Sequence, residues 1–109
     1  MQIKQGISMP YEYQIKEKAD DTGDPVDLTN AESIVMNATK YEDTTPSIVV
    51  TCEFVDRLLG LISIPWTSAQ TSVLGMYRVE FTITWAGGKI EKVPSDSELW
   101  LLITSSNTP

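Results

Sequence analysis

Between Gly75 and Trp85 the chain alternates without a slip: Tyr77, Val79, Phe81, Ile83 and Trp85 fall on one parity, Arg78, Glu80, Thr82 and Thr84 on the other. Successive side chains of a strand point to opposite faces, so this spacing makes one apolar face and one polar face. β-branched and aromatic residues suit a pleated, half-buried surface better than a helix. Burying each large apolar side chain contributes about 1.5–3 kcal/mol, whereas ordering each backbone residue costs about 1–2 kcal/mol. Such a strand cannot stand alone. It requires a second apolar layer across its inner face.

The rest of the sequence supplies that layer. Gln2-Ile3-Lys4 is a short strand candidate, and Tyr11, Tyr13 and Ile15 alternate with polar neighbours after Pro10. Asp20–Pro25 is a turn cluster, and Asp27–Asn30 has the Asx and Thr character of a bend or a single helical turn. Ile34, Met36 and Ala38 share a parity within Ser33–Thr39; Ile48, Val50, Cys52 and Phe54 make the inner face of one further strand. Asp56–Gly60 predicts a hairpin connection into Ile62, Ile64 and Trp66, with Pro65 marking an edge or a strand end. Gly87-Gly88 predicts a tight turn from Trp85 into Lys89–Val93, and Leu99–Thr104 is the last strand. Seven or eight short strands separated by turns, with no long helical pattern, predict an all-β, antiparallel two-sheet sandwich. The expected core is Tyr77, Val79, Phe81, Ile83, Trp85, Ile62, Ile64, Trp66, Cys52 and Phe54. One domain spans 1–109, its core within 10–104, and the tail 105–109 is expected to fray.

Composition narrows the function. The net charge is -7, and without a Lys/Arg cluster to displace counterions neither nucleic acid nor an anionic membrane is an expected partner. The absence of histidine removes Ser-His and Cys-His nucleophile pairs and the commonest metal ligand. No Gly-rich phosphate loop and no CxxC pair occurs, so no enzymatic activity, cofactor or metal is expected. The single Cys52 excludes an internal disulfide and sits on an apolar parity, as a small core residue would. The start Met-Gln-Ile-Lys-Gln-Gly lacks an apolar signal core, which predicts folding in a cytoplasm.

Two groups could carry more. Asp20, Asp21, Asp24 and Asp27 offer oxygens for calcium, but without the spacing of an EF-hand they read better as a solvated turn with Asx hydrogen bonds. Trp66, Trp85 and Trp100 could form a sugar-binding platform, although the first two fall on inward parities. Trp100 differs: in Leu99-Trp100-Leu101-Leu102-Ile103 both parities are apolar, yet an outer strand of a sandwich has one face in water. Trp100 and Leu102 are therefore the candidate interface, with Leu58 and Leu59, apolar for a turn, as weaker additions.

Taken in order, several blocks resemble a known family: Gly23-Asp24-Pro25-Val26-Asp27-Leu28-Thr29, Ile34-Val35-Met36, Gly60 with Ile62, Ile64 and Trp66-Thr67, Gly75-Met76-Tyr77-Arg78-Val79-Glu80-Phe81, Gly87-Gly88, Val93-Pro94 and Leu101-Leu102-Ile103. This order is similar to the Ig-like N-terminal domain of phage baseplate upper proteins, over roughly residues 10–104. The resemblance implies an Ig-like sandwich serving as an assembly or attachment module of a phage virion, made in the host bacterial cytoplasm. Implied partners are other virion proteins and further copies of the chain; no catalytic residue is implied. Those proteins continue into helical and further β regions outside the part that resembles this sequence. A carbohydrate-binding module for host-surface attachment is the alternative.

Overall fold

The computed structural model describes residues 1–16, 24–94 and 99–105. Nine strands occur in them: β1 (Gln2–Lys4), β2 (Pro10–Gln14), β3 (Ala31–Lys40), β4 (Ile48–Thr51), β5 (Glu53–Asp56), β6 (Leu61–Pro65), β7 (Gly75–Trp85), β8 (Ile90–Val93) and β9 (Leu99–Thr104). One sheet has the order β1-β9-β7-β3-β4, with β8 also paired to β7; the other is β2-β6-β5. All pairings are antiparallel except β1 with β9, which runs parallel.

Period-two burial organises both layers. Tyr77, Val79, Phe81 and Ile83 of β7 turn inward beside Ile34, Met36 and Ala38 of β3 and Leu101 and Ile103 of β9. Ile62 and Ile64 of β6, with Ile15 just past β2, close the core from the small sheet. Tyr13 of β2 stacks on Phe81 of β7 across the gap, ring centroids 5.5 Å apart. The opposing layer that β7 requires is thus present.

The 48–55 run is two strands rather than one. β4 pairs with β3 up to Val35↔Thr51, Cys52 donates its N–H to the Ile34 carbonyl at 2.9 Å, and β5 then pairs with β6 in the other sheet. Both sheets face the same core, so the inward parity of Val50, Cys52 and Phe54 continues through the crossing. Pro65 takes the strand-end option, closing the central strand β6 opposite Pro10. Phe54 and Trp85, expected inside, are half-buried and pack against the core's margin. Phe54 lies on the edge strand β5 beside a bulge, its ring covered by the Arg57 guanidinium at 3.8 Å. Trp85 ends β7, where its Nε1 donates to Glu91 at 3.1 Å.

This connectivity is immunoglobulin-like. β2, β6 and β5 correspond to strands B, E and D, while β3, β7 and β9 correspond to C, F and G, with β4 as C′ and β1 riding on G. Tyr77, at the start of the F-equivalent strand, donates its hydroxyl to the Val73 carbonyl four residues upstream at 2.8 Å. That is the tyrosine corner of such sandwiches. Burial pushes its phenol pKa upward. Two residues on, where antibody domains carry the second disulfide cysteine, stands buried Val79.

A second corner is fixed by Gly60. Its φ is +66°, and a Cβ there would lie 2.6 Å from the Val26 carbonyl oxygen and 2.8 Å from that of Ile15. Only glycine lets the β5–β6 turn approach this closely, and the contact is closed by Ile15 N–H to the Gly60 carbonyl and Val26 N–H to the Ile15 carbonyl. Arg57 donates to the carbonyls of Leu28 and Ala31, at 3.3 and 2.6 Å.

Candidate docking surface

The surface begins with register. Arg78 pairs with Trp100 and Met76 with Leu102, so these four project from the outer face of the large sheet. On the other side of β7, Thr39 pairs with Arg78 and Asn37 with Glu80. The chain leaving β3 folds back over this face: Tyr41 donates its N–H to the Met76 carbonyl at 2.9 Å, and its ring lies 6.1 Å from that of Trp100. Arg78 holds the same loop by donating to the Asp43 carbonyl at 3.0 Å. Tyr41, 61% exposed, and Met76, 44% exposed, join half-buried Trp100 and Leu102 in one apolar strip.

Charged groups border the strip. Tyr41, Glu42, Asp43, Arg78 and Trp100 line a shallow depression of about 390 Å³. A neighbouring one, also about 390 Å³, runs past Asn37, Thr39, Arg78, Glu80 and Lys92. Lys92 Nζ lies 3.6 Å from Glu80 Oε1, both half-exposed or more. A ring beside a guanidinium and carboxylates on an open sheet suits exclusion of water against another surface. Buried Trp and Tyr anchors ringed by polar groups carry most of the energy in such contacts.

The other two candidates lie elsewhere. Leu58 and Leu59 are exposed in the β5–β6 turn of the small sheet. Arg57 of that turn binds Ala31 at the start of β3, whereas Trp100 lies alongside Arg78, which is opposite Thr39 near its end. Eight residues of strand separate these positions by about 26 Å. The turn therefore adds nothing to the Trp100 strip. Tyr41 and Met76 were not legible as members, because Met76 joins through pairing with β9 and Tyr41 through the return of a polar loop.

The remaining sequence candidates resolve as follows. Trp66 is buried and Trp85 half-buried, so neither joins Trp100 in a platform. Asp20 and Asp21 lie outside the described residues. Asp27 accepts hydrogen bonds from the N–H and hydroxyl of Thr29, and these bonds lower its carboxyl pKa. Among the described residues no group of three His, Cys, Asp or Glu is placed to hold a metal ion. Burial pushes the Cys52 thiol up to about 12, which keeps it protonated and unreactive. Compared with known proteins, the chain matches no family model and no curated protein.

Proposed function

We propose that this protein is a non-enzymatic structural module of a phage virion that docks on other proteins through the outer face of its large sheet. The observation that carries the docking reading is the contiguous strip of Tyr41, Met76, Trp100 and Leu102 on an open sheet face, which further carries exposed Val49 and Ile90 on flanking strands. The phage assignment is supported by the ordered motif blocks that resemble baseplate upper proteins, and by an immunoglobulin-like strand order of the kind that resemblance implies. The test is incorporation: a tagged copy, supplied during infection by the phage that encodes it, should co-purify with particles, and Trp100→Asp should not. Failure of the wild-type chain to join particles contradicts the phage reading; undiminished incorporation of Trp100→Asp contradicts the docking face.

One observation favours carbohydrate as a second reading: the Tyr41 and Trp100 rings flank a depression that also holds Arg78 and two carboxylates. Titration with host-wall polysaccharide should then change tryptophan fluorescence. An unchanged signal at millimolar sugar dismisses it.

A further inference from the structure

The charges along β7 on the outer face of the large sheet form a sequence in space, with Lys4 of β1 lying off to its side. Following β7 from its N-terminal end, Glu42 and Asp43 come first, held there by the Arg78 contact to Asp43 and by Tyr41 on Met76. Arg78 follows, then Glu80, then Lys92, whose strand position is opposite Thr82. The order is negative, positive, negative, positive, and its midpoint is Val79. A two-fold axis lying in the plane of contact and crossing β7 at Val79 reverses this order. Arg78 of one copy then meets Glu80 of the other, and the Glu42–Asp43 end meets the Lys92 end. Trp100, level with Arg78, falls next to its own symmetry mate across the axis. Such self-complementarity is what an isologous interface demands.

Size and net charge agree. Strands of three to eleven residues at about 3.3 Å per residue and about 4.8 Å between neighbours give a face of roughly 600 Å². Specific interfaces begin at about 600 Å² per partner. A chain of net charge -7 repels its own copies over most of its surface. On this face Arg78 and Lys92 offset much of the negative charge of Glu42, Asp43 and Glu80.

Resting on the docking reading above, we infer that the occupant of this face is a second copy of the same chain, related by a two-fold axis near Val79, with Arg78 of each copy against Glu80 of the other. The experiment is sedimentation velocity at low and high salt on four samples: wild type, Arg78→Glu, Glu80→Arg, and an equimolar mixture of the two variants. Wild type should dimerise, more weakly at high salt. Each variant alone should be monomeric, with dissociation at least tenfold weaker in affinity than wild type, because like charges now meet at both positions. The mixture should recover the dimer, since glutamates on one copy face arginines on the other. Thermal melts of each variant check that the fold is kept. If a variant fails to fold, Thr39→Cys serves in its place: Thr39, level with Arg78 on β3, flanks the axis without being an anchor, and a short bis-maleimide should link copies through it. A monomeric wild type, variants that dimerise alone, a mixture that stays monomeric, or no cross-link overturns the inference. A monomeric wild type that joins particles while Trp100→Asp does not would overturn the two-fold partner alone and leave the docking reading standing.

Discussion

Two of the regions that expose large apolar side chains differ in what lies around them. At the Gly60 corner, Leu58 and Leu59 stand in water on a turn whose backbone is tied down at several points: Leu59 donates its N–H to Asp56 and accepts from the Gln14 side chain, and Gly60 is wedged against Val26 and Ile15. On the outer face of the large sheet, Trp100, Leu102, Met76 and Tyr41 touch one another across three chain segments. The leucines are exposed because the chain must turn tightly there. The strip is exposed although a flat sheet could have carried threonines instead. Contiguity, not exposure, separates a surface built for contact from a by-product of chain reversal.

The contrast can be broken most forcefully at the corner. Gly60→Ala places a Cβ against two backbone carbonyls in a left-handed conformation, and should cost at least about 2 kcal/mol in denaturant unfolding. A change near zero would mean the turn can move and the leucines are free to dock. Smaller is Tyr77→Phe, beneath the docking face, which removes the hydroxyl contact to Val73 and should cost about 1 kcal/mol while leaving association intact. Next come Leu58→Asp and Trp100→Asp, each expected within about 0.5 kcal/mol of wild type. They should part company in assembly, where only Trp100→Asp fails to incorporate. Equal behaviour would erase the distinction between the regions.

The smallest effect concerns pH at the corner. Thr29 stabilises ionised Asp27, so its folded pKa lies below the ordinary 3.8. That contribution is present above 3.8 and lost as pH falls through the lowered value. The melting-temperature gap between wild type and Asp27→Ala should therefore close in acid. A gap that persists would assign the difference to the backbone bend instead.

The fold was largely legible because inward parity is a local property: Tyr77 to Ile83, Ile62 with Ile64, and Ile34 to Ala38 could be assigned without knowing what lay opposite. The strand break at Cys52 was not, since a chain crossing between two sheets around one core keeps its alternation. Phe54 and Trp85 had inward parity but lay at sheet margins, and margins are set by pairing partners far along the chain. The same limit governed the surface. Trp100 and Leu102 could be picked out from a doubly apolar strand, whereas Met76 required the β7–β9 register and Tyr41 the path of its loop. Leu58 and Leu59 are exposed in their turn, but the sequence could not show how far that turn lies from Trp100.

Methionine oxidation tests the central claim on the unaltered protein. Met76 lies in the strip and is 44% exposed, while Met9 lies outside it and is 70% exposed. Dilute peroxide, followed by peptide mass spectrometry, reads both at once in chains diluted until they dissociate and in the assembled state. Docking through the large sheet predicts that assembly slows oxidation of Met76 at least tenfold and leaves Met9 unchanged. Equal oxidation of Met76 in both states would contradict the account.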